Sequence, residues 1–336
     1  MLDWFFQPGA PMTRALRLSF VALLLAAGGA FAQDWPARRA LTMVVPFAAG
    51  GPFDTIGRIL ASGLSETLGQ QVIVENVGGA GGMTGASRVA KAAPDGYVFL
   101  LGGSATLAFI PTLYRKPLYD AVADFAPVAL VADSARVLVT RKDLPPNTLA
   151  EFIAYAKANH VKMQYGSAGG GSGSHVCAIL LDSVMGTRIT HVPYRGSGPA
   201  MQDLMAGRLD YICEQISTAL PLIQGSKVKA IVTLSLSRAP GLANLPTAHE
   251  QGLADFDCSA WAAFVYPKGT PEAIVRRLAK AASDTVDGAS VRARLETVGV
   301  TIPAPERRSP EYLARYIPSE IEKWAGPIKA SGVPAD

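Results

Sequence analysis

Two stretches of the sequence place serine and histidine closely enough to raise the question of catalysis. Ser104 lies in the run Gly-Gly-Ser-Ala-Thr, and Ser172 lies in the run Gly-Gly-Ser-Gly-Ser, which is followed by His175. Neither serine stands in the G-x-S-x-G pattern of a nucleophile elbow, and the spacing identifies no acidic partner for His175. These residues therefore favour hydrogen bonding to a ligand over nucleophilic catalysis.

Five loops share one composition, in which small or hydroxyl residues separate a predicted strand from a predicted helix. They are Pro46–Asp54, Asn76–Gly85, Gly102–Thr106, Gly166–His175 and Tyr194–Gly198. Glycine lets the backbone approach a ligand closely, and free N–H groups at a helix start attract anions. Each hydrogen bond to a charged group contributes roughly 1.5–3 kcal/mol. Because the chain completes neither G-x-G-x-x-G in the 76–85 loop nor a P-loop G-K-[ST], a carboxylate is a better candidate than a nucleotide.

The elements that must position these loops alternate along the chain. Apolar runs at Leu41–Pro46 and Tyr97–Leu101 predict strands, whereas Ile56, Ile59, Leu60, Leu64 and Leu68 recur at helical spacing. Thr148 predicts the N-cap of a helix that runs to Asn159. Such alternation is typical of an α/β protein with largely parallel sheets. In such sheets ligands bind at the carboxyl ends of the strands.

Composition and metal-binding residue types exclude several classes of function. The chain has 336 residues and a formal net charge of +4 that is spread along the sequence, which does not indicate nucleic-acid binding. Neither the cysteines nor the histidines have metal-ligand spacing, so we predict no metal and no cofactor. The odd number of cysteines leaves at least one thiol unpaired; a Cys177–Cys213 disulfide stays open, and Cys258 has no assigned partner.

The first 32 residues have the order of a cleavable export signal. Arg14 and Arg17 supply positive charge, Leu18–Ala27 is an apolar run, and Ala30–Ala32 forms an A-x-A cleavage site. The run is about half the roughly 20 residues that a membrane span needs. We therefore expect a signal peptide over residues 1–32, with Met12 as a better start than Met1, and a periplasmic mature protein.

A series of motifs extends from Trp35-Pro36 to Trp324. They read L-T-M-V-V-P-F-A-A-G-G-x-x-D, V-E-N-x-x-G-A-G-G, A-A-P-D-G-Y, D-F-A-P-V-A-L-V, Y-G-S-A-G-x-G-S-x-S-H, H-V-P-Y-R-G, L-P-T-A-H-E-Q-G and P-K-G-T-P. Each motif alone is modest evidence, but their order and spacing over almost the whole mature chain are specific. The sequence resembles the substrate-binding proteins of tripartite tricarboxylate transporters, the Bug-type receptors.

This resemblance implies a type II periplasmic-binding-protein fold, in which two crossover strands join two α/β domains around a ligand cleft. The crossovers are expected near Arg136–Arg141 and Ala260–Tyr266. Domain I then combines residues 33–135 with 262–336, and domain II comprises residues 136–261. The resemblance also implies a monomer that captures a small organic carboxylate and delivers it to an integral membrane permease.

Carried over position by position, the resemblance predicts a set of ligand-binding residues. They are Phe47, Ala49, Gly51, Phe53, Asp54, Ser104, Thr106, Ser167, Ala168, Ser172, His175, Tyr194 and Glu214.

Some of these positions have local alternatives. Asp54 is equally a candidate N-cap of the first helix. Tyr194 is a candidate for a wall of the cleft, and the neighbouring Arg195 for a surface charge.

The chain also departs from the pattern of the family. Pro52-Phe53 stands where many relatives have Ser-Thr, Gly170 where Asn is common, Gly173 where Ser is frequent, and Glu214-Gln215 where Asp-Asn is common. The first of these changes removes two hydroxyls and adds a ring. We therefore expect a carboxylate ligand with an apolar or aromatic body.

Two other functions share these features. An exported enzyme on the same loops would turn over its bound acid, although no nucleophile, metal or cofactor motif is recognisable. A ligand-sensing partner of a signalling receptor would close on its ligand without supporting uptake.

Overall fold

The computed structural model describes residues 35–331, and the predicted signal peptide lies outside this range. Ten strands form two separate five-stranded sheets. The first sheet contains β1 Leu41–Val45, β2 Val72–Asn76, β3 Val98–Gly103, β4 Phe125–Ser134 and β10 Ala260–Pro267. The second sheet contains β5 Arg136–Thr140, β6 Gln164–Ser167, β7 Thr190–Pro193, β8 Tyr211–Gln215 and β9 Lys229–Thr233.

The two sheets have equivalent topologies. The first has the order β2-β1-β3-β10-β4 and the second the order β7-β6-β8-β5-β9. In each sheet the fourth strand is antiparallel to both of its neighbours, whereas the pairs among the first three strands are parallel. The chain passes from one sheet to the other at each of these antiparallel strands. Strand β5 follows β4 after the single residue Ala135, and β10 follows β9 after residues 234–259. The parallel strands therefore point their carboxyl ends toward a common region.

Helices cover the sheets, and each of the five loops predicted above contains the start of a helical segment. They are α1 Pro52–Leu68, α2 Met83–Ala90, α3 Ile110–Leu113, α4 Leu149–Asn159, α5 Gly173–Met185, α6 Ser197–Met205, α7 Ile216–Gln224, α8 Glu272–Asp287, α9 Ala289–Thr297 and α10 Pro310–Ala330. A π-helical segment, Ser104–Phe109, runs directly into α3. Short 3₁₀ turns lie at Ala80–Gly82 and Pro305–Arg307.

Local chemistry explains where these helices begin and end. The N-cap prediction for Thr148 is confirmed, because its side chain accepts the backbone N–H of Glu151 at 3.2 Å. Helix α1 begins at Pro52, earlier than the apolar spacing alone suggests, since proline has a helical φ and its missing N–H is not needed in the first turn. Its N-cap is Gly51, so Asp54 does not occupy the capping position.

Apolar side chains fill the space between each sheet and its helices. The first-sheet side has one large core that includes Phe99, Phe264 and Trp324. The second sheet separates two smaller cores, because alternate residues of a strand face opposite sides. Leu138 lies in one of these cores and Val137 in the other.

Strand β10, Ala260–Pro267, begins at the residue where the second crossover strand is predicted. Ala260 pairs with Ser134 and Trp261 with Asp133, both in β4. Ala260 and Trp261 therefore belong to the first sheet. The extents of the two domains, including the boundary at 261/262, remain a prediction.

The cysteines lie in the interior as free thiols. Cys177, Cys213 and Cys258 are all buried in the core that contains Leu138. Burial raises the pKa of Cys177 and Cys258, which keeps both thiols protonated. No disulfide joins them in the described part of the chain.

Candidate functional site

A narrow cavity of about 20 Å³ lies between the two sheets, where the predicted loops meet. This volume is close to the space of a single water molecule. We call its lining residues on the first-sheet side the first wall: Phe47, Pro52, Phe53, Ser104 and Ala105. Those on the second-sheet side form the second wall: Arg136, Ala168, Ser172, Gly173, Ser174, Ser197 and Gln215.

Two hydrogen bonds to backbone carbonyls join the two sides around this cavity. The N–H of Ala48 donates to the carbonyl of Arg195 at 3.0 Å, and the hydroxyl of Tyr114 donates to the carbonyl of Gly170 at 3.1 Å. At Gly81 an added Cβ would lie 2.2 Å from that same carbonyl, so the approach requires glycine. The two sides are therefore in contact around the cavity, and its volume is too small for an organic acid unless they separate.

The first wall is largely apolar. The rings of Phe47 and Phe53 are 5.3 Å apart at a 47° interplanar angle, and both side chains are buried. Phe53 also packs on Gly103, where an added Cβ would lie 2.7 Å from the ring. Together with Pro52 they form an aromatic and aliphatic surface with the hydroxyl of Ser104 at its edge.

A charged network behind the first wall fixes its loop. Buried Asp54 accepts hydrogen bonds from the backbone N–H of Gly50, the guanidinium of Arg58 and the amide of Asn76, each at 3.0 Å. Burial opposes ionisation of this carboxyl, but these donors outweigh burial and hold the pKa of Asp54 below its ordinary value. Asp54 thus orders the loop from behind and does not line the cavity.

The second wall is polar and gathers helix starts. Gly173 begins α5, Ser197 begins α6, and Gln215 is the N-cap of α7. Ser172 is the N-cap of α5, and the hydroxyl of Ser174 accepts the backbone N–H of Ala168 at 2.9 Å. Positive ends of helix dipoles and serine hydroxyls therefore converge on one face, which suits an anion.

Arg136, which the sequence did not mark as a site residue, lies in this wall. It is the first residue of β5 and pairs in register with Gln215. Its side chain is 4% exposed, and its Nη1 donates to the carbonyl of Cys213 at 3.4 Å. A Cβ added at Gly173 would lie 1.9 Å from Nη2, so the guanidinium occupies space that only glycine leaves free. One cue existed in the sequence: this is a lone charge at the start of an apolar strand.

Glu214 lies opposite Val137, the neighbour of Arg136 in β5, and is fully buried. Its Oε1 accepts the backbone N–H of Gln215 at 2.9 Å, and its Oε2 has no hydrogen bond within the described residues. Burial raises the pKa of this carboxyl, while the nearby hydroxyl of Ser197 and the charge of Arg136 act in the opposite direction.

A stack of rings supports the second wall from behind. His175 stacks on His191 at 4.1 Å, and His191 stacks on Tyr165 at 4.9 Å between centroids. The Nδ1 of His175 accepts the N–H of Gly171 at 3.1 Å. Burial lowers the pKa of His175 to about 3, with a further contribution from His191, and lowers the pKa of His191 to about 4. Both rings are therefore neutral at pH 7.

The contacts of Ser172 and Ser167 bear on the catalytic alternative. Ser172 accepts the backbone N–H of His175 and has no hydrogen bond to its ring. A close serine–histidine pair does occur, because Ser167 Oγ lies 2.6 Å from His191 Nε2. Ser167 is fully buried and outside the cavity lining, so this pair has no access to a ligand there.

The structure divides the predicted ligand-binding residues into two groups. Those that line the cavity are Phe47, Phe53, Ser104, Ala168 and Ser172. The others surround or support it: Ala49, Gly51, Asp54, Thr106, Ser167, His175, Tyr194 and Glu214.

Several residues of the second group have other contacts. Thr106 accepts the N–H of Gly103 at 3.0 Å, and Tyr194 donates to Asp203 at 2.6 Å. Gly51 and the carbonyl of Ala49 lie against the start of α6. Direct contact between any of the predicted residues and a ligand remains a prediction.

Two five-stranded sheets of matching topology with a cleft between their strand ends are the architecture of a solute-binding protein. Over residues 56–333 the sequence matches the family described as the tripartite tricarboxylate transporter family receptor. The chain belongs to this family. No helix within residues 35–331 is long and apolar enough to cross a membrane.

Known proteins resemble the chain over most of its length. The UPF0065 protein in the TAR-I ttuE-ttuC′ intergenic region of Agrobacterium vitis is 41% identical over 319 residues, 93% of this chain and 91% of that protein. The periplasmic binding protein BugD matches with a TM-score of 0.86 and 37% identity over 88% of this chain and 99% of that chain. MatC from Rhodopseudomonas palustris, solved with bound malate, matches with a TM-score of 0.85 and 40% identity over 88% of this chain and all (100%) of that chain. The expected fold and family are confirmed.

Proposed function

We propose that this protein captures a small organic carboxylate with an apolar or aromatic body in the cleft between its two sheets. The observation that carries this proposal is the asymmetry of the cavity. One wall presents Phe47, Pro52 and Phe53, while the other presents serine hydroxyls, helix N-termini and the guanidinium of Arg136. A molecule with a charged end and an apolar body matches both walls in one orientation.

Closure of the cleft makes this recognition effective. The sides meet through the hydrogen bonds of Ala48 with Arg195 and of Tyr114 with Gly170, which limit the access of water to an enclosed ligand. Charge-assisted hydrogen bonds are stronger when water is excluded. The similarity to MatC, which was solved with malate, supports a carboxylate as the charged end.

We propose transport as the purpose of this capture. The protein is exported to the periplasm by its N-terminal signal and acts there as a monomer. It delivers its ligand to an integral membrane permease of a tripartite transporter. Membership of a transporter receptor family supports this role.

The bound acid leaves the cleft unchanged in this proposal. Its support is that none of the serine hydroxyls that line the cavity forms a hydrogen bond with a histidine ring within residues 35–331; those of Ser172 and Ser174 contact each other, with their oxygens 3.2 Å apart. The serine that does contact a histidine ring, Ser167, is buried and outside the cavity lining.

Mass spectrometry of ligand released from native protein tests the function most directly, supported by a thermal-shift panel. The panel contains citrate, aspartate, malate, adipate, hexanoate and benzoate. A ligand that binds the folded state raises the melting temperature, and we expect the larger shifts with adipate, hexanoate or benzoate. Stabilisation by citrate or aspartate alone would overturn the apolar body, and no shift with any acid would overturn carboxylate capture.

Deletion of the gene separates transport from the two other roles. A transport receptor predicts loss of uptake of the identified acid, with no product formed by the purified protein. Normal uptake together with ligand-dependent binding to a sensor domain would favour signalling. Conversion of the acid by purified protein would favour an enzyme.

A further inference from the structure

Arg136 carries a charge that the protein itself leaves without a contacting anion. The side chain is 4% exposed, and its side-chain hydrogen bond within the described residues is the 3.4 Å contact with the carbonyl of Cys213. No carboxylate of residues 35–331 forms an ion pair with it within 4.0 Å. Burying a charge without a partner is costly, so a fold that keeps such a residue indicates another use for it.

The surroundings of Arg136 add to the positive potential. The starts of α5, α6 and α7 lie in the same wall, each with its N-terminal dipole end at the cavity. Glu214 supplies a longer-range countercharge, but burial raises its pKa and thereby weakens that compensation. The charge balance of this wall is completed by an anion that enters the cavity.

We propose that the Arg136 guanidinium binds the carboxylate of the ligand directly and makes the site selective for acids over their uncharged analogues. This inference rests on the proposed function and names the residue that recognises the charged end. Arg136 faces the cavity, and a guanidinium offers parallel N–H donors that match both oxygens of a carboxylate.

Gly173 supports this assignment by a separate observation. The guanidinium packs against the first residue of α5, where any side chain would collide with Nη2. Because Gly173 has no side chain, the guanidinium can pack at the start of α5. A cation is otherwise disfavoured there, since the N-terminal end of a helix carries positive partial charge. This juxtaposition holds the charge at the cavity.

The experiment compares acids with their amides in wild-type and variant proteins. Isothermal titration measures Kd for adipate and adipamide and for benzoate and benzamide, with wild type, Arg136→Met and Arg136→Lys. Arg188→Met is the matched control, because it removes the same charge from an exposed position at the opposite end of the second sheet. The readout is the ratio of the amide Kd to the acid Kd.

We expect Arg136→Met to lower this ratio about 10- to 100-fold, the size of a lost charge-assisted contact. Arg136→Lys should retain part of the preference for acid over amide, since it keeps the charge but loses the paired N–H donors of the guanidinium. Arg188→Met should retain all of this preference. The melting temperature of ligand-free Arg136→Met is expected to stay near that of wild type, because the variant removes an unpaired buried cation. If Arg136→Met does not fold, the ratio in Arg136→Lys decides.

The outcomes distinguish the two proposals. If wild type binds acids and Arg136→Met weakens acid and amide binding equally, the role of Arg136 is structural. Recognition of the carboxylate by Arg136 is then overturned, while carboxylate capture stands. An Arg136→Lys ratio equal to that of wild type also overturns recognition by the guanidinium fork. If wild type binds none of the acids in the panel, the proposed function fails, and recognition of the carboxylate by Arg136 fails with it.

Discussion

The two walls of the cleft are built in opposite ways. The first wall presents Phe47 and Phe53 to the cavity and keeps its charged group, Asp54, behind them. The second wall presents serines and Arg136 to the cavity and keeps a stack of neutral rings, including His175, behind them. In each wall the residues that face the ligand differ in character from those that hold them in place.

This difference separates two tasks that one residue cannot easily combine. A group that contacts the ligand must complement its charge and polarity. A group that fixes a loop must have its hydrogen bonds satisfied before the ligand arrives. Asp54 fulfils its task with donors from Gly50, Arg58 and Asn76. Substitutions behind the walls should therefore change stability most, and substitutions at their faces should change affinity or selectivity most.

The largest effect is expected behind the first wall. Asp54→Asn preserves shape but removes a buried charge that accepts three hydrogen bonds. We expect the free energy of unfolding to fall by about 2–3 kcal/mol, as for loss of hydrogen bonds to a charged group. Urea denaturation measures the change.

Arg58→Gln is the matched control, since its side chain is 56% exposed and it removes one donor while leaving those of Gly50 and Asn76. Exposed ion pairs contribute about 0–1 kcal/mol, so its effect should be clearly smaller. Equal losses in the two variants would show that Asp54 acts only through that ion pair.

A smaller effect, on affinity, is expected at the face of the second wall. Gly173→Ala places a Cβ 1.9 Å from Nη2 of Arg136 and displaces the guanidinium. We expect the Kd for the identified carboxylate to rise about 10- to 100-fold. In Gly170→Ala, on the same loop, an added Cβ meets no atom within 4 Å. Titration calorimetry should show near-wild-type affinity for this control, and similar losses in both variants would refute a local effect on Arg136.

The contrast between Arg136 and the serines also shows how far sequence reasoning reached. Alternation of strands and helices was sufficient to predict the fold class, because apolar periodicity and glycine-rich turns are local properties. It also placed Ser104 and Ser172 in loops between a strand and a helix, where the cavity forms. For Asp54 the sequence predicts a ligand contact or an N-cap, whereas its hydrogen bond with Asn76 at the end of β2 is a contact that spacing along the chain does not reveal.

Arg136 was missed for a related reason. The sequence suggested a crossover strand near this residue, but side-chain direction at a crossover depends on the relative position of two sheets. Only register with Gln215 and proximity to Gly173 place the guanidinium at the cavity. Such long-range contacts are a product of the assembled fold.

Acidification tests the rings behind the second wall and should have a still smaller effect. His175 and His191 have folded pKa values of about 3 and about 4, below the ordinary value of roughly 6.5. The unfolded chain therefore binds more protons below pH 6.5, and stability falls as the pH is lowered from there toward 4. Full burial of both rings would cost about 3 kcal/mol between pH 6.5 and 5. Because the rings are partly exposed, we expect a loss of about 1 kcal/mol.

Urea midpoints measured across this range should decline less steeply in His175→Asn and His191→Gln. Asparagine retains an acceptor for the N–H of Gly171, and glutamine retains a partner for Ser167. A decline as steep in these variants as in wild type would place the acid sensitivity elsewhere.

The smallest effect is expected at the face of the first wall, which is proposed to contact only the apolar body of the ligand. Phe53→Leu removes the aromatic contact with Phe47 but keeps an apolar surface. Aromatic pairs contribute roughly 0.5–1.5 kcal/mol beyond burial. The preference for benzoate over hexanoate, measured as the ratio of the hexanoate Kd to the benzoate Kd, should therefore fall about 3- to 10-fold. Phe99→Leu, also buried on the first-sheet side but away from the cavity, should lower stability and leave this preference unchanged. A preference that survives Phe53→Leu would mean that the first wall excludes water without reading the shape of the ligand, and selectivity would then rest on the second wall alone.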